Sequence, residues 1–199
     1  MELVLVRHAL PERIDATPDG GPADPGLVER GHDQAARVVQ ALARDRVDAV
    51  YASPAARAQQ TAAPLAAALG LEVRVEPGLA EFDAGHDSYV PVEELKAADD
   101  PRWQALKLGA VPGIDASAFR EAVVAGVERV VAAHPGGRAV CFTHSGSINA
   151  YTGHVAGVPA ALWVAPAYAS LTRVGAARDG RRGLVSLNET GHVRDLLDG

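Results

Sequence analysis

Leu3-Val4-Leu5-Val6 is an apolar run with no polar residue to mark a solvent face. A strand of this kind is buried on both sides, as in a parallel sheet covered by helices. The run passes directly into Arg7-His8. A cation and an imidazole at the mouth of a core strand are costly unless something compensates them. The question set by these residues is what that compensation is.

The remainder of the chain alternates strand and helix patterns. Residues 10–26, "LPERIDATPDGGPADPG", are rich in Pro, Gly and Asp and read as loop. A helix is expected from about Leu27 to Arg44, with Ala35, Val38, Val39 and Leu42 on one face. "VDAVYA" (47–52) reads as a second strand. Ser53-Pro54 then reads as a helix start, Ser at the N-cap and Pro in the first helical position. That helix should run to Gly70, with a kink or break at Pro64. "LEVRVEP" (71–77) is a third strand, and 80–116 is irregular, with short helical pieces near Val92–Ala98 and around Trp103. "SAFREAVVAGVERVVAAH" is a long helix, "RAVCFT" a fourth strand, and a further helix is expected near Ile148–Val155. The segment from Ala169 reads as a hairpin turning at Asp179-Gly180. The pattern is that of an α/β protein with a mostly parallel sheet, and 199 residues fit a single domain with an insertion.

Composition narrows the partners. The formal net charge of −6 argues against nucleic acid or an acidic membrane as the binding surface. The one cysteine, Cys141, lies inside an apolar strand and reads as a buried small hydrophobe, which suits a reducing cytoplasm. No signal-peptide pattern and no run long enough to span a bilayer are visible.

Ligands in open α/β sheets bind beyond the carboxyl ends of the strands. Three such ends carry polar groups: Arg7-His8 after the first strand, Ser53 with Arg57 after the second, and Thr143-His144-Ser145-Gly146 after the fourth. If these strands are neighbours, two Arg and two His converge. Paired guanidinium donors suit phosphate oxygens, and a neutral imidazole among them is a nucleophile for phosphorus. Neighbouring cations also favour the neutral ring.

"LVRHA", "SPAARAQQTA" (53–62), "LAEFDAG" (79–85) and "THSG" (143–146) resemble, in order, the motifs of the histidine phosphatase superfamily, the phosphoglycerate mutase-like proteins. "DPGLVERGHDQA" and the terminal "LNETGHV" resemble weaker segments of the same proteins. The resemblance implies a three-layer α/β/α sandwich and a phosphohistidine intermediate. It implies His8 as nucleophile, Arg7, Arg57 and His144 as phosphoryl-binding groups, a backbone contribution at Ser145, and Glu81 as general acid. Asp83, two residues on, competes with Glu81, since both would face one side of an extended segment. Two Arg and two His already provide the positive charge a metal would supply, so no metal or cofactor is expected; a small phosphate ester as substrate, a homodimer as a possible assembly, and a lid at about residues 83–115, which carries Gly, Pro and Asp between helical pieces, complete the expectations.

The sequence departs from the common pattern in three places, of which the last two concern substrate class. Ala9 stands where Gly is usual, "ALPERID" lacks the Glu-Thr and Asn common in mutases, and "AEFDAGHDSY" lacks an aromatic just after Gly85. The leading expectation is a phosphomonoester hydrolase, ahead of a phosphomutase, a protein-phosphohistidine phosphatase and a non-catalytic phosphate-binding protein. His86 and, in the lid, Trp103 and Lys107 are candidate pocket residues, and the Trp is equally suited to packing. His32, His134, His154 and His192 read as structural or exposed. A serine hydrolase is disfavoured because no G-x-S-x-G elbow occurs.

Overall fold

The computed structural model describes residues 1–108 and 114–197. In chain order its main elements are β1 (Glu2–Arg7), α1 (Glu29–Leu42), β2 (Ala49–Ala52), α2 (Ala56–Leu69), β3 (Val73–Val75), α3 (Val92–Ala97), α4 (Pro101–Lys107), α5 (Ala116–Ala133), β4 (Arg138–Thr143), α6 (Ser145–Ala156), β5 (Leu171–Ala176) and β6 (Arg182–Glu189). The strands form one sheet in the order β3-β2-β4-β1-β5-β6. β1, β2, β3 and β4 are mutually parallel, and β5 and β6 close one edge antiparallel. Among the described residues no helix is long and apolar enough to cross a membrane.

The continuous apolar run of β1 is explained by two cores. Val4 and Val6 face Val38, Leu42 and Leu65 of α1 and α2, while Leu3 and Leu5 face Val123, Val127 and Ile148 of α5 and α6. β4 divides in the same way, with Val140 and Phe142 on the first face and Ala139 and Cys141 on the second. Alternate side chains of a strand point to opposite faces, so a strand covered on both sides has no polar register. Each buried Leu or Phe contributes about 1.5–3 kcal/mol. The three-layer α/β/α arrangement follows.

Four local expectations are corrected. The second helix starts at Ala56, with Ala55 as its cap residue, so Ser53-Pro54 precedes the helix and does not cap it. Ser53 Oγ accepts from the Ala55 amide at 3.2 Å in a turn leading into the helix. Pro64 lies within α2 without ending it. Its ring removes one donor, but α2 is held across its length by Ala58, Ala62, Leu65 and Ala66 in the core. The third strand is only Val73–Val75, because Pro77 opens a short 3-10 turn that Glu76 caps by accepting from the Gly78 amide. The sixth helix begins at Ser145, directly after His144, three residues earlier than the hydrophobic pattern shows.

The 83–115 stretch folds as a loop followed by α3 and α4, and residues 109–113 of it lie outside the described residues. The stretch is tied back to the loop after β1. Ile14 and Tyr89 exchange backbone hydrogen bonds, and Arg13 pairs with Glu94 at 2.7 Å.

Candidate functional site

The strand order puts β1 between β4 and β5, with β2 on the far side of β4. The carboxyl ends of β1, β2 and β4 therefore lie side by side, and Arg7-His8, Ser53 and His144 meet. The His8 amide donates to Thr143 O at 2.8 Å, which fixes the two strand ends in register. Arg7, His8, Arg57 and His144 are all buried, and all four line one cavity of about 290 Å³.

His8 Nδ1 lies 2.8 Å from Ala9 O. A carbonyl only accepts, so Nδ1 carries the proton of the neutral ring and Nε2 carries the lone pair. Ala9 is itself pinned, its amide donating to Thr61 Oγ1 at 3.0 Å, while Thr61 donates to Arg57 O. The His8 and His144 rings stand 5.0 Å apart. Burial, and then Arg57, His144 and Arg7, hold His8 well below the usual imidazole range. Burial and the two arginines do the same to His144. Both rings are neutral at ordinary pH.

Four buried side-chain nitrogen or oxygen atoms have no hydrogen-bond partner among the described residues. Three of them, Arg7 Nε, Arg57 Nε and His144 Nδ1, belong to this site. Buried polar groups are normally satisfied. Three unpartnered nitrogens on side chains that line one cavity with His8 are an arrangement able to seat a tetrahedral oxyanion.

His144 Nε2 lies 2.8 Å from Ser53 Oγ. Because that oxygen already accepts from Ala55, its own proton is available to Nε2, which leaves the ring proton on Nδ1. The first amide of α2, at Ala56, donates to Asp24. The strand-end Ser53 therefore serves His144, and the start of α2 supplies the site with the Arg57 side chain.

Each arginine has a counter-ion. Arg57 Nη2 donates to Asp83 at 3.0 Å, and its guanidinium lies 4.5 Å from the centre of the Tyr89 ring. Arg7 Nη1 donates to Glu93 of α3 at 2.9 Å and to Pro166 O at 2.8 Å, and its guanidinium lies 3.8 Å from the Tyr168 ring centre. Tyr168 donates its hydroxyl proton to Glu93 at 2.6 Å. These contacts compensate the cation at the end of a core strand: an ion pair, a carbonyl and an aromatic face. Although burial opposes its charge, Tyr168 and Glu93 keep Arg7 more firmly protonated than usual.

Glu81 and Asp83 separate by environment. Glu81 Oε2 accepts from the Gly146 amide at 2.7 Å, and Oε1 from Phe82 N at 3.1 Å. Burial, reinforced by Asp83, pushes Glu81 up to about 8. Asp83 is the ion-pair partner of Arg57. Glu81 is held in place by Leu79 O and Ala80 O, which accept from Thr143 and Ser147.

All six site residues read from the sequence, Arg7, His8, Arg57, Glu81, His144 and Ser145, line the cavity, as does His86. From α4 the wall is made by Arg102 and Leu106. Trp103 is outside that wall, with Lys107 Nζ 5.8 Å from its ring centre. Ser53 is legible as a polar strand end but reads as a helix cap, and Thr61, Tyr89, Glu93 and Tyr168 are not legible as site residues. Tyr168 precedes β5, and antiparallel pairing of β5 with β1 delivers it beside Arg7. Tyr89 supplies, four residues after Gly85, an aromatic expected closer to that glycine.

The fold and site define an α/β/α protein with a buried, neutral histidine set between two arginines and a second histidine. The chain belongs to the histidine phosphatase superfamily (branch 1), whose family model matches residues 3–190. It is 40% identical over 106 residues to phosphoserine phosphatase 1 of Hydrogenobacter thermophilus, a match covering 52% of this chain and 50% of that protein. It is 26% identical over 168 residues to probable phosphoglycerate mutase GpmB of Photorhabdus laumondii, covering 80% and 77% of the two chains. In structure it resembles Bacillus stearothermophilus YhfR, with a TM-score of 0.76 at 21% identity over 97% of this chain and 99% of that one. It also resembles a mycobacterial glucosyl-3-phosphoglycerate phosphatase in complex with inorganic phosphate, with a TM-score of 0.75 at 25% identity over 96% and 99% of the two chains.

Proposed function

We propose that the chain is a metal-independent phosphomonoesterase of small phosphate esters that passes the phosphoryl group through His8. The observation carrying this reading is the set of unpartnered nitrogens, Arg7 Nε, Arg57 Nε and His144 Nδ1, around a histidine whose tautomer is fixed by Ala9 O. In the first step the Nε2 lone pair forms a bond to phosphorus while the bond from phosphorus to the ester oxygen breaks. The leaving alkoxide takes the proton of Glu81, which its raised pKa keeps available. In the second step a water oxygen attacks phosphorus, Glu81 carboxylate accepts the water's proton, and the N–P bond returns its electrons to Nε2. The guanidinium groups and His144 Nδ1–H stabilise the equatorial oxygens in both steps, and the two guanidinium groups supply the positive charge for which other phosphatases use a metal.

The name of one relative, phosphoserine phosphatase 1, supports this class, while that of the other, probable phosphoglycerate mutase GpmB, matches the mutase alternative. Hydrolysis is favoured over mutase chemistry because the Glu-Thr and Asn common in mutases are missing after His8. The buried Cys141 is suited to a reducing compartment, so we place the protein in the cytoplasm. The test is acid quenching with a labelled phosphate ester after exhaustive chelation. Acid-labile, base-stable label on His8, and loss of turnover in His8→Ala, are expected. Label on a serine, turnover by His8→Ala, or activity that only added metal restores would overturn the mechanism.

A further inference from the structure

We infer that the substrate's alcohol carries an apolar body, of alkyl or aryl type, in place of a compact charged headgroup. This rests on the phosphomonoesterase reading and concerns the part of the same cavity beyond the phosphoryl seat. That part is walled by Phe82, Val92, Leu95, Leu106 and Leu162. Leu95 and Leu106 are buried, although α3 and α4 are short helices on the outside of the sandwich. The wall continues outward: Phe82, Gly146 and Leu162 also line a second cavity of about 220 Å³, whose other walls include Phe119, Ala150 and Pro159. An apolar body leaving the seat therefore meets a mainly apolar wall, in which Ser117 and Arg120 are the polar side chains of the second cavity.

The charged groups of the cavity are already committed. Asp83 is paired with Arg57, and Glu93, beside the seat, with Arg7. Arg102, the cation contributed by α4, is held by Asp100 through Nε and Nη2, both at 2.9 Å. A leaving group with a carboxylate would share Arg102, whose side chain is 56% exposed, with Asp100, and one with an ammonium would share a carboxylate with an arginine. Either arrangement costs desolvation with little net gain. His86, Ser88, Tyr89 and Ser145 are further polar groups in the lining, enough to orient a hydroxyl or ester oxygen.

The probes are methyl-, butyl- and hexylphosphonate, whose P–C bond resists hydrolysis, titrated calorimetrically into the intact chain. Kd is expected to fall by about threefold per added methylene, the ratio expected when the apolar wall takes each one out of water. Leu106→Asn and Leu162→Asn should each reduce that slope. 2-Amino-4-phosphonobutanoate, which puts an amino-acid headgroup on a comparable chain, should bind at least about tenfold more weakly than butylphosphonate. A Kd independent of chain length, a slope unchanged in both variants, or tighter binding of the amino-acid phosphonate overturns the inference. The phosphomonoesterase reading fails separately: the phosphonate slope would persist while no ester is hydrolysed and His8 never takes label.

Discussion

Gly146 and Glu81 meet more closely than any side chain at position 146 permits. The Gly146 amide donates to Glu81 Oε2 at 2.7 Å, and a Cβ on Gly146 would overlap Glu81 Oε1 and stand 2.7 Å from the Phe82 ring. The second residue of α6 therefore sets both the position of Glu81, the proposed acid, and one wall of the cavity. Gly146→Ala should displace Glu81 without touching His8 or either arginine. The expected outcome is a fall of about a hundredfold in kcat for alkyl phosphates, the scale of general acid catalysis, and a much smaller fall for aryl phosphates with good leaving groups. Equal losses on both substrate types would show that the glycine acts on folding or on the seat and not on the acid.

The contact between Ser53 and His144 gives a second test. Ser53→Ala removes the hydroxyl that fixes His144 Nε2 and leaves that nitrogen buried and unsatisfied. A lost buried partner costs about 1–3 kcal/mol, so kcat should fall roughly tenfold or more while His8 still becomes phosphorylated. Nitrogen chemical shifts of His144 should show a single Nδ1–H tautomer in the parent and a mixture in the variant. An unchanged tautomer would assign Ser53 to packing alone.

Under the proposed function, in which Arg7 binds the phosphoryl group, Glu93 competes with substrate for the charge of Arg7. Arg7 and Tyr168 hold its carboxyl below the usual range against the effect of burial, so it is ionised at neutral pH. Its side chain is 49% exposed, which limits the interaction to that of a half-screened pair. Glu93→Gln removes the charge and keeps one acceptor oxygen for Arg7, while its amide nitrogen, which can only donate, faces the Tyr168 hydroxyl. Inorganic phosphate should then inhibit about threefold more tightly, with the gain shrinking as salt is raised. Weaker inhibition would mean that the main service of Glu93 is to orient Arg7.

The legible part of this protein is the part fixed by periodicity and strand ends. Leu3-Val4-Leu5-Val6 has no polar register because two cores cover it, and that alone indicates a covered parallel sheet. Arg7, His8, His144 and Arg57 are each at or just after a strand end, where a site in such a sheet must be. The groups that support them were not legible, because each arrives from an element whose docking no local pattern encodes. Glu93 comes from a short helix of the insertion, Tyr168 from the turn before an antiparallel edge strand, and Thr61 from the inner face of α2. Ser53 was noticed but misassigned: a Ser-Pro pair before a helix looks like a cap, and only the tertiary contact shows its hydroxyl on His144.

Glu81 also makes a prediction about stability, because it holds its proton more tightly in the fold than an ordinary carboxyl does. Its value rises from 4.5 to about 8, through burial first and Asp83 second. A group whose pKa is raised on folding adds stability that is complete below its unfolded value and is lost as pH climbs through its folded value. In this window the parent should lose up to about 1.4 kcal/mol per pH unit from this one group, and Glu81→Gln should lose none of it. Urea unfolding at about pH 5.5 and about pH 7.5 should therefore show the variant gaining on the parent as pH rises. The rate should follow the same proton. Turnover of alkyl phosphates by the parent should be flat through neutrality and decline above about pH 8, as Glu81 ionises. His8, already neutral, adds no limb there. In Glu81→Gln the residual rate should carry no decline at that pH. If parent and variant lose stability in parallel and share the same basic limb, the proton belongs to another group and Glu81 is not the acid.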